Sequence, residues 1–513
     1  KFAFDDLFAG QFRVTLNLLE WQTLDAEETL VEGEATSVVY RMQPVPDPEA
    51  FRAVARVPPP PREVTRRTIG KEELTRIPGT RGDALRAVEL LPGVARPPFG
   101  AGFLIVRGSA PADTQVLLEG VPVPLLYHLG GLTSFINSRL LESVDFYPGN
   151  FSTRYGRRRG GIVEVNLADP ARDQVHCVAD LNFIYGSVLL QAPITDDWEF
   201  AIAGRRSWID LVFEQALDDE DISTLAAPVY YDYQALTTYR PNDRNKLRLL
   251  VYGSGDRLEL LFAQPSDADA VIIGDFGFET QFHRVQASWA TKVTDRVDHD
   301  LELAVGTYSV DFGVGDAFDF SLSGIDIYLR SEWRARLTDR VRLIAGLDTA
   351  FLPGKVTYKG PPIQQSENNP DAAGTPISNL GKTSSVDEFE VLQPAVYFES
   401  DFNLAPVRVI LGTRLDYYSE IGDFSFDPRI TSIYSADEDT RLKAGVGMFS
   451  QPPQFQESSG AFGNPKLGPT HTVHVSTGVE RDFADKAINV GVEGFYKHLY
   501  DRVIGTEFGQ EPF

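Results

Sequence analysis

FLIVRGSAPADTQVLLEGVPV (residues 103–123) and SVDFYPGNFSTRYGRRRGGIVEVN (residues 143–166), separated by the polar and aromatic passage PLLYHLGGLTSFINSRLLE, decide how this chain folds. Two short apolar runs, 103–106 and 116–118, flank a cluster of Gly, Ser, Pro and Asp, and Glu119, Gly120 and Pro122 end the second run. Such punctuation predicts a pair of short strands with tight turns. A second pair is predicted where Val144, Phe146 and Tyr147 lead into Pro148-Gly149-Asn150, and where Ile162, Val163 and Val165 resume alternation after Tyr155-Gly156. Gly108, Gly120, Gly149, Gly156, Gly160 and Gly161 stand at strand ends, where positive φ or close backbone approach is most useful. These residues by themselves predict a compact mixed domain with many tight turns.

Taken together, R-G-S-x(5)-Q-V-L-L-E-G-V-P-V from Arg107, S-R-L-L-E-S-V-D-F-Y-P-G-N-F-S-T-R-Y-G from Ser138 and G-G-I-V-E-V from Gly160 resemble the plug domain of TonB-dependent outer-membrane receptors. Glu119 stands where that family more often has Asp, and Val144-Asp145-Phe146 replaces the commoner Ile-Glu-Val; Tyr155-Gly156 and Gly160-Gly161 match closely. Upstream, IPGTRGDALRAVELLPGV (residues 77–94) is similar to the run that opens the family's plug. Within it, Ala84, Leu85, Val88 and Leu91 fall at helical spacing before Pro92-Gly93. A plug at residues 63–168 is therefore expected.

Further outward, Pro44, Pro46, Pro48 and the four prolines 58–61 remove backbone donors and favour an extended form, so residues 46–62 read as a semi-rigid linker. Residues 1–45 read as strands, with alternation at 12–18 and again at 36–42. They resemble the tail of a small β-sandwich of the carboxypeptidase-regulatory-like type; an arbitrary piece of a β domain is the other reading. No basic stretch followed by an apolar run marks a signal peptide, which in an exported protein is expected to have been removed.

From Gln174 onward the period changes to two. Val175, Cys177, Ala179, Leu181 and Phe183 fall on one face, and the same rhythm recurs in WEFAIAGRRSWIDLV, KLRLLVYG, RLELLFA, VRVILGTRLDYYS and AINVGVEGFYKHL, among others. Strands of roughly 9–12 residues suit a tilted membrane crossing, and no apolar run is long enough for a membrane helix. Turn signals at 195–197, 255–257, 338–339, 435–439 and 484–486 alternate with longer polar insertions at 213–229, 355–388 and 450–470. Short turns at one end and long loops at the other, with aromatics at strand ends, predict a transmembrane β-barrel over residues 169–513. A soluble propeller or solenoid would show a fixed repeat, and none is found. The runs GRRSWID (204–210), GTRLDYY (412–418) and GNPKLGPT (463–470) resemble stretches of the family's barrel, although Thr470 replaces its usual Glu. The resemblance implies 22 strands. About 14–16 are legible, and because an open edge in lipid leaves costly unpaired backbone groups, the natural product is expected to extend past Phe513.

Composition narrows function. The formal charge of −25 gives no support to a nucleic-acid partner. Cys177 is the only cysteine and sits in the alternating apolar row, so a packed or lipid-facing thiol is expected and no disulfide framework exists. His471 and His474, three apart in a strand, point to opposite faces, which disfavours a paired metal site. Ser109 and Ser207 lack a G-x-S-x-G elbow, and the acidic run 218–221 with Glu367 and Asp371 lacks the spacing of a calcium loop. No catalytic, cofactor or metal site is expected.

Within the plug, Arg107, Glu119, Arg154, Arg157, Arg158 and Arg159 are charges destined for a polar lumen. The resemblance implies that such residues pair with the barrel wall and hold the plug closed, with Arg107, Glu119 and Arg154 the gating candidates; alternatively, Arg107 and Glu119 pair with one another inside the plug. It also implies a receptor in the outer membrane of a Gram-negative bacterium, surrounded by lipid, that binds an unidentified scarce or large solute at its long loops. Import would be driven by a TonB-type energy-coupling protein that captures an extended segment upstream of the plug as an added strand. The acidic loops are expected to disfavour bare anions and tolerate cationic, neutral or metal-complexed solutes. The competing reading is a non-energised binding or structural subunit of a larger surface assembly, with a surface lipoprotein or another outer-membrane subunit as partner; an enzyme is the least supported class.

Overall fold

The structure is a computed structural model that describes residues 8, 10–16, 24–31, 38–40, 64–80, 82–95, 104–208, 210, 228–262, 274–360, 383–459, 463–483 and 488–504. The chain divides into two compact units, Lys1–Pro60 and Pro61–Phe513. In the first, β1 (Gly10–Leu16) pairs antiparallel with β2 (Leu24–Leu30), and Arg13 faces Glu27 at 3.2 Å across the pair. The alternation at 36–42 does not mark a strand where it is described, because Val38, Val39 and Tyr40 carry no strand pairing. The opposite charges on 24–30 supply the cross-strand match instead. The linker expected at 46–62 lies outside the described residues.

The plug opens with β3 (Arg67–Gly70) and the helix α1 (Lys71–Arg76), followed by a 3₁₀ helix at Ala84–Leu90. The helical spacing predicted there is thus realised in its tighter form, capped by Asp83, whose carboxylate accepts from the Leu85 amide. Next come β4 (Val94–Ala95), β5 (Ile105–Val106), β6 (Gln115–Leu118), β7 (Val121–Pro122), β8 (Leu141–Tyr147) and β9 (Ile162–Leu167). A five-stranded sheet runs β3-β8-β9-β6-β7. The two apolar runs flanking the Gly/Ser/Pro/Asp cluster are strands, but they do not form a pair. β5 joins β4, while β6 lies parallel to β9 and antiparallel to β7, because both faces of β6 are wanted by the core. The second predicted pair, β8 with β9, is present and antiparallel. Leu85, Val88, Val106, Leu118, Val144, Phe146, Val163 and Val165 are completely shielded from solvent.

Fifteen antiparallel strands follow in simple chain order. They are β10 (His176–Leu181), β11 (Tyr185–Thr195), β12 (Trp198–Ser207), β13 (Val229–Asn242), β14 (Asn245–Phe262), β15 (Gly274–Thr294), β16 (Val297–Val314) and β17 (Phe318–Arg336). Beyond these lie β18 (Val341–Gly360), β19 (Thr383–Leu404), β20 (Val407–Tyr418), β21 (Asp423–Ser435), β22 (Thr440–Gln451), β23 (Thr470–Phe483) and β24 (Ile488–Tyr500). Among the described residues β10 and β24 are the edges of this sheet, so the 22 strands implied by the resemblance are not reached. Several strands exceed the expected length, β19 reaching 22 residues. The predicted turn at 255–257 is not a turn. Residues on either side pair continuously with β13 and β15, and Asp256 points inward from the middle of β14. The 355–388 insertion is likewise shorter than read, because β18 continues to Gly360 and β19 starts at Thr383.

Alternation sorts each strand into an apolar outer and a polar inner face. On β20, Leu411 and Leu415 are exposed outward while Arg414 and Asp416 are buried inward; on β19, Val396 and Phe398 face out while Tyr397 and Glu399 face in. Trp198, Tyr239, Trp289 and Trp333 project outward beside the short turns, where an interfacial aromatic girdle belongs. Cys177 is a free thiol on the exposed face of β10. No described helix is long and apolar enough to cross a membrane, which leaves the crossing to strands. Introducing a charge on the outer face is therefore expected to be costly. Leu411→Arg should lower the stability of the protein folded into phospholipid vesicles by about 2–4 kcal/mol, measured by reversible urea unfolding.

Candidate functional site

Each strand from β12 to β24 sends at least one side chain into a hydrogen bond or ion pair with the plug. The series runs from Arg205, through Gln234, Asp256, Gln286, Glu302, Arg330, Asp348, Glu399, Arg414, Arg429, Gln451 and His474, to Glu493. The sheet is therefore wrapped around the plug, and the site is the seam between them.

All three gating candidates lie in that seam. Arg107 donates to Glu493 of β24 at 2.8 Å and stacks its guanidinium on Phe495 at 4.2 Å. Glu119 accepts from Arg248 of β14 at 2.6 Å, and its own carbonyl accepts from Gln286 of β15 at 2.7 Å. Arg107 and Glu119 thus reach separate wall strands, and the alternative that they pair with one another does not hold. Arg154 bridges two strands, donating to Glu302 of β16 at 2.8 Å and Glu332 of β17 at 3.0 Å, while Tyr397 donates a further bond to Glu332 at 2.8 Å. Burial disfavours charge on Arg154, yet Glu302 and Glu332 more than offset it and raise its pKa well above the ordinary value. For Glu119 the balance is opposite: burial raises its pKa although Arg248 pulls the other way.

Arg107, Glu119 and Arg157 all adopt left-handed backbone, with φ of 50°, 51° and 59°. That conformation costs a non-glycine residue about 1–2 kcal/mol, and it aims these three side chains outward at turns. Gly120 and Gly156 complete the geometry. Gly120 has φ of +84°, and a Cβ there would lie 2.5 Å from Glu302 Oε2. A Cβ on Gly156 would overlap the guanidinium of Arg414. Arg414 is fully buried in the seam, donating to Asp348 at 2.8 Å, to Asp416 at 2.7 Å and to the carbonyls of Thr153 and Arg154. Arg157 shares Asp348 and Asp416 with it. Arg429 donates to the Phe151, Ser152 and Tyr155 carbonyls. Among the described residues, two of the predicted charges do not reach the wall: Arg159 pairs inside the plug with Asp113 at 2.8 Å, and Arg158 donates to the Arg157 carbonyl.

A second node surrounds His128. Its Nδ1 lies 2.5 Å from Asp256 and its Nε2 3.0 Å from Asp232, so both ring nitrogens donate when the imidazole is protonated. Arg205 also donates to Asp232, at 2.6 Å, and Tyr230 stacks on the ring at 4.5 Å. Burial lowers the pKa of His128, but the bonds to Asp232 and Asp256 prevail and leave it raised. His474 faces the plug and touches Arg159 O and the Asn150 amide, whereas His471 bonds Ser450, on the opposite face of β23. No cluster of three or more His, Cys, Asp or Glu among the described residues is arranged to hold a metal ion.

The profile of TonB dependent receptor-like β-barrels matches residues 213–510, and that of the TonB-dependent receptor plug domain matches residues 61–163. The chain belongs to the TonB-dependent receptors. Like other members of that family of receptors and transporters, this receptor is an outer-membrane protein of Gram-negative bacteria. No curated protein matches it by sequence. Among solved structures, it resembles a mutant of the ferric enterobactin receptor PfeA from Pseudomonas aeruginosa, with 15% identity, a TM-score of 0.63, and coverage of 85% of this chain and 71% of that one. The siderophore receptor PirA from Acinetobacter baumannii gives 15% identity and a TM-score of 0.62 over 84% of this chain and 70% of that one. The outer membrane transporter YddB from Escherichia coli gives 11% and 0.59 over 82% and 67%. At these identities the likeness is one of fold.

The receptor's plug charges are legible in its sequence, but their wall partners are not. Arg414 and Asp416 were within the quoted GTRLDYY run, and inward polar positions on an alternating strand were a usable signal for both. His128 carried no signal, because its two aspartates are about a hundred or more residues away.

Two outcomes are expected. Arg154→Ala leaves Glu302 and Glu332 short of a cation in a buried seam, a loss of about 3 kcal/mol in plug docking; channel conductance in planar bilayers should then appear at lower urea concentration than for the unchanged receptor. For His128, a native pKa raised above the unfolded value of about 6.5 makes its contribution complete below that value and lost as pH rises through the native one. Hydrogen exchange of the amides around Leu129, corrected for intrinsic rates, should accelerate across that rise in the receptor, and His128→Gln should flatten the dependence.

Proposed function

We propose that the receptor imports a scarce solute from the cell exterior, with a TonB-type protein in the periplasm supplying the force that shifts the plug. The observation that carries this reading is the seam itself. The lumen is filled by a folded domain held through polar contacts on each strand from β12 to β24, while a cavity between plug and wall opens beside the long connection that follows β22. A filled lumen passes nothing by diffusion. Buried ion pairs add little net stability over apolar packing, yet lose much when one partner moves away, so they suit a contact that must hold and then release as a unit.

In this mechanism Arg107, Glu119 and Arg154 are the gating residues. Each ties a plug turn to a different part of the wall, and displacement of one turn leaves the wall carboxylates and Arg248 to be met by water. The solute is captured by the long connections within residues 208–228, 361–382 and 452–469. The structural neighbours named for siderophores support a metal chelate as one candidate cargo. Accumulation of a chemically diverse solute library should be compared in cells with and without the coupling protein. Some solute that requires this receptor should bind in both but accumulate only when the coupling protein is present. Equal accumulation of every receptor-dependent solute would reject energised import in favour of a non-energised surface subunit.

A further inference from the structure

Among the cavities between plug and wall, two share part of their lining. The outer one, about 450 Å³, opens beside Gln451, the last residue of β22, and Pro453 and Phe455 just beyond it, at the end opposite the strand's short turn. The inner one, about 320 Å³, is bounded by Tyr155, Arg157, Tyr308, Tyr328, Asp348 and Gln393. Gln115, Val123, Pro124 and Arg158 line both. Among the described residues, Arg158 is the only charged one on the outer cavity. In the inner one four arginines, Arg157, Arg158, Arg284 and Arg330, face two aspartates, Asp326 and Asp348.

Those arginines are not equivalent. Arg284 pairs with Asp326, Arg330 with Glu302 at 3.3 Å, and Arg157 with Asp348 at 3.3 Å. Arg158 has no carboxylate within ion-pair distance among the described residues. Its one hydrogen bond runs from Nη1 to the Arg157 carbonyl at 2.7 Å, and its Nε is buried without a partner. A guanidinium does not shed its proton, so a half-enclosed one without a counter-anion is a standing electrostatic deficit. Other polar groups around it are also unspent. Thr114 Oγ1 and Gln451 Oε1, on residues lining the outer cavity, are buried and unpaired.

We propose that Arg158 is the recognition cation of the import route, and that the solute carries an oxyanion which it presents to Arg158 on passing from the outer to the inner cavity. This deepens the import reading and rests on it. The substrate class is a small polyanion or an anionic metal chelate. The overall charge of −25 does not oppose this, because exposed charges are screened within about 8 Å at physiological salt, while the field inside a walled cavity is set by the groups lining it.

The test uses the full-length receptor in detergent micelles, without coupling protein, so that its outcome is independent of whether import is energised. Citrate and inorganic phosphate are titrated by calorimetry, with glucose as the neutral control. Binding of citrate or phosphate, weakened about tenfold or more by Arg158→Gln and largely kept by Arg158→Lys, is the expected result; which anion binds distinguishes carboxylate from phosphate chemistry. In parallel, the anion that binds should protect Arg158 of the unchanged receptor from phenylglyoxal, read by peptide mass spectrometry, and this decides the matter if Arg158→Gln fails to fold. Binding of neither anion, equal binding by the receptor and Arg158→Gln, or modification of Arg158 unaffected by anion would overturn the proposal.

Discussion

A charged side chain taken into the lumen has to be met there, and that constraint organises the receptor. Arg414 is wholly buried and stays charged, so Asp348, Asp416 and two plug carbonyls must converge on it. Convergence requires the plug backbone to approach within hydrogen-bond distance, which only Gly156 permits. Around this node the remaining seam follows the same logic. Arg429 is satisfied by three plug carbonyls, and Arg154 by two wall glutamates. The plug is therefore a stoichiometric part of the wall's charge balance rather than a stopper of matching shape.

Polar closure has a mechanical corollary. An apolar seam would gain stability with every square ångström and release gradually, whereas charge pairs in low dielectric lose most of their energy over a short displacement. Left-handed backbone at Arg107, Glu119 and Arg157 adds strain in the docked state that three wall contacts overcome. The shared apolar cluster of Phe135 with Tyr252 and Phe282 lies to one side of these pairs, next to the His128 node. Docking thus combines one apolar anchor with a ring of ionic ties.

Against that background Arg158 is distinctive because the pattern of closure stops there. Its neighbours on either side, Arg157 and Arg159, have carboxylates at 3.3 Å and 2.8 Å. One unmet cation where two cavities join converts a structural run of three arginines into two structural residues and one available for a solute.

Legible in the residues alone were the plug motifs, the change to two-residue alternation at Gln174 and the presence of lumen charges at Arg107, Glu119 and Arg154. Each is a local property: turn chemistry, side-chain period and residue type are set within a few positions. Where continuity decides, local signals misled. Gly255-Asp256-Arg257 has turn composition yet sits inside β14, because its flanking strands pair straight through it. Likewise β5 and β6 are each strand-like but take different partners, since pairing depends on which sheet has an open edge. Which residues meet is set by long-range packing. Arg107 and Glu493 are 386 residues apart, Glu119 and Arg248 are 129 apart, and no spacing rule connects them. The curvature of the sheet around the plug sets those meetings, and that curvature is a property of all its strands together.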